Sequence, residues 1–244
     1  MKKILLLSMM SALLGSSLVL GQQSVDRSKA PALAEIQPLK LPVLQSFKLK
    51  NGMNVYLMEK SQVPLVQVTL YVNGGSAYEK QNELGLSSLV ANMMDEGTKT
   101  RTSLQIADEI DYLGINLSVF SGMEQMGVSL FSPLSKFDQA LELMKDITVN
   151  PVFPKEELER KRKDILVGLV QEHDEARAIA SKAFAKLIFG DSHPYGRSSN
   201  GNEATVKSFT VDQLKKYHAD TFTTSTATAT STSTHRSTSS SRCA

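Results

Sequence analysis

The residues of this chain whose types could do chemistry are few and scattered. His173 is flanked by the acids Glu172 and Asp174, but adjacent residues of a helix do not share a face, so this cluster predicts a solvated turn rather than a metal site. Ser88 has no histidine near it in the sequence and lacks the flanking glycines of a nucleophile elbow, which indicates a packing residue. His193 lies in a turn-forming His-Pro-Tyr-Gly run, where we expect it to hold the loop.

Strands that would have to support any site are predicted by alternation and by turn residues. Asn51-Gly52 separates two alternating segments, and both residues tolerate the positive φ of a tight hairpin turn. Residues 64–73 alternate apolar and polar side chains, which predicts a third strand. Another hairpin is expected over residues 115–133.

Helices are predicted by apolar spacing and by end signals. The stretch GLSSLVANMMDEGT, residues 85–98, has one apolar stripe at helical spacing and Gly97 as its predicted end. Two further helices are expected to begin at the capping boxes that start at Thr102 and Thr210. With a long charged helix that begins after Pro154, the chain has about five strands and six helices. This order predicts an α+β fold with a mainly antiparallel sheet covered by helices.

Composition and termini limit the function classes. The chain has 244 residues with a net charge of +2 and no Trp, which gives no indication of a nucleic-acid partner. Residues 1–21 have two lysines, an apolar run and no acid, as in a secretory signal peptide; a membrane anchor is the alternative. Their removal leaves 25 basic and 25 acidic residues and no membrane segment, and residues 22–43 are expected to be an extended lead-in. One cysteine, Cys243, allows no internal disulfide.

A compositional break follows Phe222. Residues 223–244 contain 15 Ser or Thr and no large aliphatic side chain, so we predict that the globular core does not continue into them. A natural Ser/Thr-rich stalk and a shifted reading frame are both open. Because low complexity begins where a last core strand is expected, the frameshift is favoured, and it would leave an unpaired sheet edge.

Several short motifs, in this order and spacing, resemble the pitrilysin/insulinase family of zinc metallopeptidases, which includes mitochondrial processing peptidase. The resemblance covers residues 44–222. The motifs are Phe47-x-Leu49-x-Asn51-Gly52, Gly75-Ser76-x-x-Glu79, Gly85-Leu86, Glu96-Gly97-Thr98, Pro151-x-Phe153, Glu159-Arg160-x-Arg162 and His193-Pro194-Tyr195-Gly196. The family implies a metallopeptidase-like, processing-peptidase-like domain, of which this chain has room for one copy.

The same resemblance implies that the family's zinc site is lost. Active members place His-x-x-Glu-His on the helix after Gly-Leu, where two imidazoles one turn apart bind zinc and the Glu acts as base. Here the two histidine positions hold Ser88 and Asn92, and the base position holds Ala91. The third ligand position, on the long helix, is Gly168, and a supporting Glu is replaced by Lys161. We therefore predict no catalytic residue, no metal ligand and no cofactor in this chain.

Three hypotheses about function follow. The first is a non-catalytic, exported, periplasmic or secreted subunit that pairs with an active zinc-bearing homologue and helps to enclose a peptide. The second is a stand-alone exported protein that binds a peptide or another partner. The third is a zinc metalloendopeptidase by homology only.

Overall fold

The computed structural model describes residues 42–60, 63–223 and 227–233. The predicted signal peptide lies outside the described residues, and so does the predicted lead-in except for Pro42 and Val43. The predictions made for those two segments are therefore untested. Within the described residues, no helix combines the length and the apolarity that crossing a membrane requires.

The described residues form six strands and seven α-helices. The strands are β1 Leu44–Lys48, β2 Asn54–Glu59, β3 Leu65–Asn73, β4 Asn116–Ser121, β5 Gln125–Pro133 and β6 Ala227–Ser233. The helices are α1 Leu86–Ala91, α2 Ser103–Leu113, α3 Phe137–Val149, α4 Lys155–Gln171, α5 Ala176–Phe189, α6 Glu203–Ser208 and α7 Val211–Thr221.

All six strands belong to one sheet, in the order β1-β2-β6-β3-β5-β4. Every pair is antiparallel except β2 with β6, which is parallel. The α+β class and the mainly antiparallel mixed sheet predicted from the sequence are thus confirmed.

The Asn51-Gly52 hairpin has the turn chemistry that was predicted. Gly52 has φ +87°, and the Met53 amide donates to the Asn51 side-chain oxygen at 3.1 Å. This turn sets the register in which Phe47 lies opposite Val55. Similar local signals place α2 and α7, each of which begins at its predicted capping box.

The expectation that the core ends at Phe222 is wrong. Residues Ala227–Ser233 form β6, between β2 and β3 in the middle of the sheet. Threonine favours strands, and ladder hydrogen bonds come from the backbone, so a strand can form here without large apolar side chains. The predicted unpaired edge is absent at this place, because β6 pairs with both neighbours.

Helices cover one face of the sheet and build the core. The helix α1 packs on β4 and β5, α3 packs on β5, and α7 packs on α1. The helix α1 is shorter than predicted, since it ends at Ala91, but the following Met93 and Met94 are still fully buried in turns. The short helix α6 was not predicted; it is capped by Asn202. All of these described elements belong to one compact unit.

Candidate functional site

The start of α1 is fixed by a buried carboxylate. Glu79 is 4% exposed and accepts hydrogen bonds from the amides of Gly85, at 2.8 Å, and Ser87, at 2.7 Å. It thereby satisfies amides that the helix itself leaves unpaired. Burial raises the pKa of Glu79 above its ordinary value, although these hydrogen bonds oppose the rise.

Gly85 itself cannot carry a side chain. Its φ is +91°, and an added Cβ would lie 2.8 Å from the backbone of Asn200 and Gly201. This close approach brings the loop before α6 against the first turn of α1. The glycine before the helix is therefore required by packing as well as by backbone conformation.

An ion-pair cluster joins the segment after α1 to α4. The Glu96 carboxylate contacts Lys161 Nζ at 2.6 Å and Arg160 Nη2 at 2.8 Å, and it accepts from Ser103 Oγ at 2.8 Å. Burial alone would raise the pKa of Glu96. The hydrogen bonds from Lys161, Ser103 and Arg160 outweigh that effect and lower the pKa to about 2. Lys161, which aligns with the family's supporting Glu, thus connects α4 to the segment after α1 through an ion pair.

The three predicted ligand positions come together. Gly168 follows Lys161 by seven residues, which brings it to the same face of α4, toward α1. Ser88, Asn92 and Gly168 line one cavity of about 320 Å³, together with Ile165, Leu169, Glu172 and Asn200. The register inferred from the flanking motifs is consistent with this convergence. Ala91, the base position, does not line the cavity and is 4% exposed in the core.

These side chains do not fit zinc. A hydroxyl and a neutral amide replace the imidazoles that zinc prefers, and the third position has no side chain. The one carboxylate at the cavity, Glu172, forms an ion pair with Lys182 and accepts from Asn200 Nδ2 at 3.4 Å. Across the described part of the chain, no group of three or more His, Cys, Asp or Glu could hold a metal ion.

The sequence interpretation missed Glu172 and Asn200. Glu172 was assigned to a solvated turn, yet it lies four residues after Gly168, one helical turn along the same face. That spacing could have indicated it. Asn200 reaches the cavity only through the close approach of its loop to Gly85, for which the sequence gives no signal.

His173 and His193 lie outside this cavity. His173 is exposed and lines a neighbouring groove that α4 forms with Lys182, the loop before α6 and α6. His193 accepts from the Tyr195 amide at 3.2 Å and stacks on Phe189 with ring centres 5.5 Å apart. Its predicted role in holding the loop is confirmed.

Comparison with known proteins identifies the family. Residues 54–191 match the model of the insulinase family, peptidase family M16. The chain belongs to this family. An uncharacterized zinc protease of Rickettsia bellii is 30% identical over 180 residues, and the non-peptidase homolog YmxG of Helicobacter pylori is 24% identical over 206 residues. A solved peptidase M16 inactive domain from Pseudomonas fluorescens superposes with a TM-score of 0.75 at 24% identity, which shows the fold.

The M16 chain described here is shorter than these relatives. The match covers 72% of this chain but 43% of the Rickettsia protein, and 84% of this chain but 45% of the Helicobacter protein. For the Pseudomonas structure the shares are 79% and 47%. The chain therefore matches less than half the length of each.

Proposed function

We propose that this chain is a non-catalytic subunit or domain of an exported M16 peptidase. It pairs with an active, zinc-bearing homologue and helps to enclose the peptide that the homologue cleaves. The observation that carries the proposal is the convergence of Ser88, Asn92 and Gly168 on one cavity without a zinc ligand among them. An enclosing role needs the scaffold and the cavity but not the metal.

Relative length supports a paired arrangement. Each relative compared here is about twice as long as its match to this chain. A domain that corresponds to half of such a protein meets its complement either in the same polypeptide or on another subunit. Export is supported by the sequence of residues 1–21.

Co-expression of the full chain with a zinc-bearing M16 protein of the same organism tests the pairing. We expect the two to co-purify and the zinc content of the complex to equal that of the active protein alone. Absence of a complex refutes the pairing. Stoichiometric zinc in the purified chain by itself refutes the non-catalytic assignment.

Two further measurements separate the remaining readings. Strong binding of unstructured peptides by the chain alone would favour a stand-alone binding protein. N-terminal sequencing of the chain recovered from a cell envelope fraction tests export; we expect the mature protein to lack residues 1–21.

A further inference from the structure

The helix α5 packs with its small side chains inward and its large apolar side chains outward. Among its 14 residues none is buried, and only Ala178 and Ala185 are half-buried. These alanines line a groove against residues 196–200. Ile179, Phe184, Leu187 and Ile188, which we call the α5 face, lie on the other side of the helix.

The α5 face is strongly exposed. Leu187 is 84% exposed, Phe184 66%, Ile188 57% and Ile179 49%. A helix normally turns such residues toward the core. An exposed apolar patch of this kind marks a surface that another molecule covers.

Charge around the helix argues against a lipid surface as that molecule. Residues 172–191 carry four acids and three bases. Two of the bases, Lys182 and Lys186, form ion pairs with Glu172 and Asp191. A helix that binds anionic lipid has a surplus of unpaired Lys and Arg on its polar face, which α5 lacks.

The α5 face alone is too small to form a stable interface with a folded domain. A 14-residue helix is about 21 Å long and about 10 Å wide, so its projected area is well below the roughly 800 Å² that one side of a stable interface buries. The helix α4 also exposes an apolar residue, Val170, at 67%, and Val170 lines one groove together with Lys182 of α5. That groove adjoins the cavity of Ser88, Asn92 and Gly168, because Leu169 lines both.

We propose that the α5 face and the adjoining end of α4 are the docking surface for the second peptidase-like domain. This inference rests on the proposed function and adds the place of contact. The occupant follows from two observations: the partner must be apolar at this point, and M16 relatives have as much chain again as this domain matches. A domain seated there lies at the rim of the cavity.

Affinity measurements on the full chain and the co-purifying zinc-bearing M16 protein test this surface. Leu187→Asp places a charge in the α5 face, and we expect at least about tenfold weaker binding. Leu104→Asp is the matched control, since Leu104 is 70% exposed on another helix, α2, and we expect its affinity to stay within about twofold of wild type. Leu187→Gln keeps the side-chain length and the helix propensity of leucine. It replaces Leu187→Asp in the affinity measurement if the aspartate variant fails to fold.

The outcomes separate this inference from the proposed function. If wild type binds and the Leu187 variants bind equally well, the docking surface is refuted and the pairing stands. If the wild-type chain does not bind the zinc-bearing protein, the docking surface and the pairing are both refuted. Two other results overturn the surface alone: a homodimer in light scattering that Leu187→Asp dissociates without weakening the heterocomplex, and Leu187-dependent binding to anionic phospholipid vesicles.

Discussion

At the scale of single residues, Gly168 and Ala91, which the family motifs align with a ligand position and with the base position, have different surroundings. Ala91 has joined the core, with 4% exposure. Gly168 has not been filled in: a Cβ added there would meet nothing within 4 Å. The cavity is therefore open at Gly168, with room for a side chain at that position.

This openness predicts that the metal site can be rebuilt. The triple variant Ser88→His, Asn92→His and Gly168→Glu supplies two imidazoles one turn apart and a facing carboxylate. We expect about one zinc per chain by elemental analysis, and about 2.7 kcal/mol of added stability when free zinc is 100 times its Kd.

The control for the rebuilt site keeps both histidines but moves the carboxylate. Val167→Glu replaces Gly168→Glu, because residue 167 is 48% exposed and does not line the cavity. Equal zinc content in the two triple variants would show that residue 168 does not face residues 88 and 92.

Glu79 gives a second prediction at this scale. In Glu79→Gln one side-chain oxygen remains to accept from the amides of Gly85 and Ser87, and the side-chain NH2 group, itself a donor, faces the other amide. We expect a loss of about 1–3 kcal/mol in urea unfolding, because a buried donor is left unpaired. Glu83→Gln removes only a surface pair with Lys80, so a comparable loss there would contradict the capping role.

At the scale of elements, buried carboxylates join neighbouring segments. Glu96 connects the segment after α1 to α4 through its ion pairs with Lys161 and Arg160. Asp146 on α3 receives the side chains of the segment before α2 and of its own last turn: Thr98, Thr100, Arg101 and Asn150. Burial opposes ionisation of Asp146, but those hydrogen bonds lower its pKa to about 2.

The lowered pKa values of Glu96 and Asp146 predict that the folded state loses stability in acid. A depressed pKa in the folded state contributes stability that is complete above the unfolded pKa, near 4, and is lost as pH falls toward the folded pKa, near 2. We expect the free energy of unfolding to fall between about pH 5 and pH 2, with Glu96 responsible for on the order of 3 kcal/mol. Chemical denaturation across that range measures it.

Glu96→Gln isolates that contribution. The variant should be less stable at neutral pH and should show a flatter acid limb. Glu156→Gln removes the same charge from an exposed position on α4. If both variants keep the wild-type slope, the acid sensitivity arises elsewhere.

Local signals were sufficient for some elements and not for others. Asn51-Gly52 and the box of Thr102 with Gln105 were predictable, because the determining contacts lie within a few residues. The convergence of Ser88 with Gly168 was expected through the family motifs, since no local pattern brings residues 80 positions apart together. Glu172 and Asn200 were missed because their place depends on packing between α1, α4 and a loop.

At the scale of the whole molecule, β6 holds the sheet together. β2 and β3 are consecutive in the sequence, yet they are paired only through Ala227–Ser233. The sheet's β1-β2 part therefore depends on a Ser/Thr-rich strand for its attachment to β3-β5-β4. Whether a frameshift produced that strand stays a prediction, which translation of the DNA in the other two frames tests.

The variant Thr230→Pro tests how much the pairing of β6 with its two neighbours contributes to the stability of the fold. Proline removes a ladder donor and is rarely accepted in a central strand, so we expect a loss of roughly 3 kcal/mol or failure to fold. Thr230→Val keeps the β-branched shape and loses one long hydrogen bond to the Thr69 carbonyl, 3.5 Å, so about 1 kcal/mol or less is expected. Equal melting temperatures for the two variants would place β6 outside the sheet.

The position of β6 also determines when the sheet can close during folding. Its pairing with β3 joins Val72 to Ala227, which are separated by most of the domain. Such distant contacts form slowly, because the closure entropy of the long loop is lost before the strand pairing compensates for it. Until residue 233 is available, β2 and β3 each have an open edge toward the gap, so the nascent domain passes through a period in which these edges can pair with other chains.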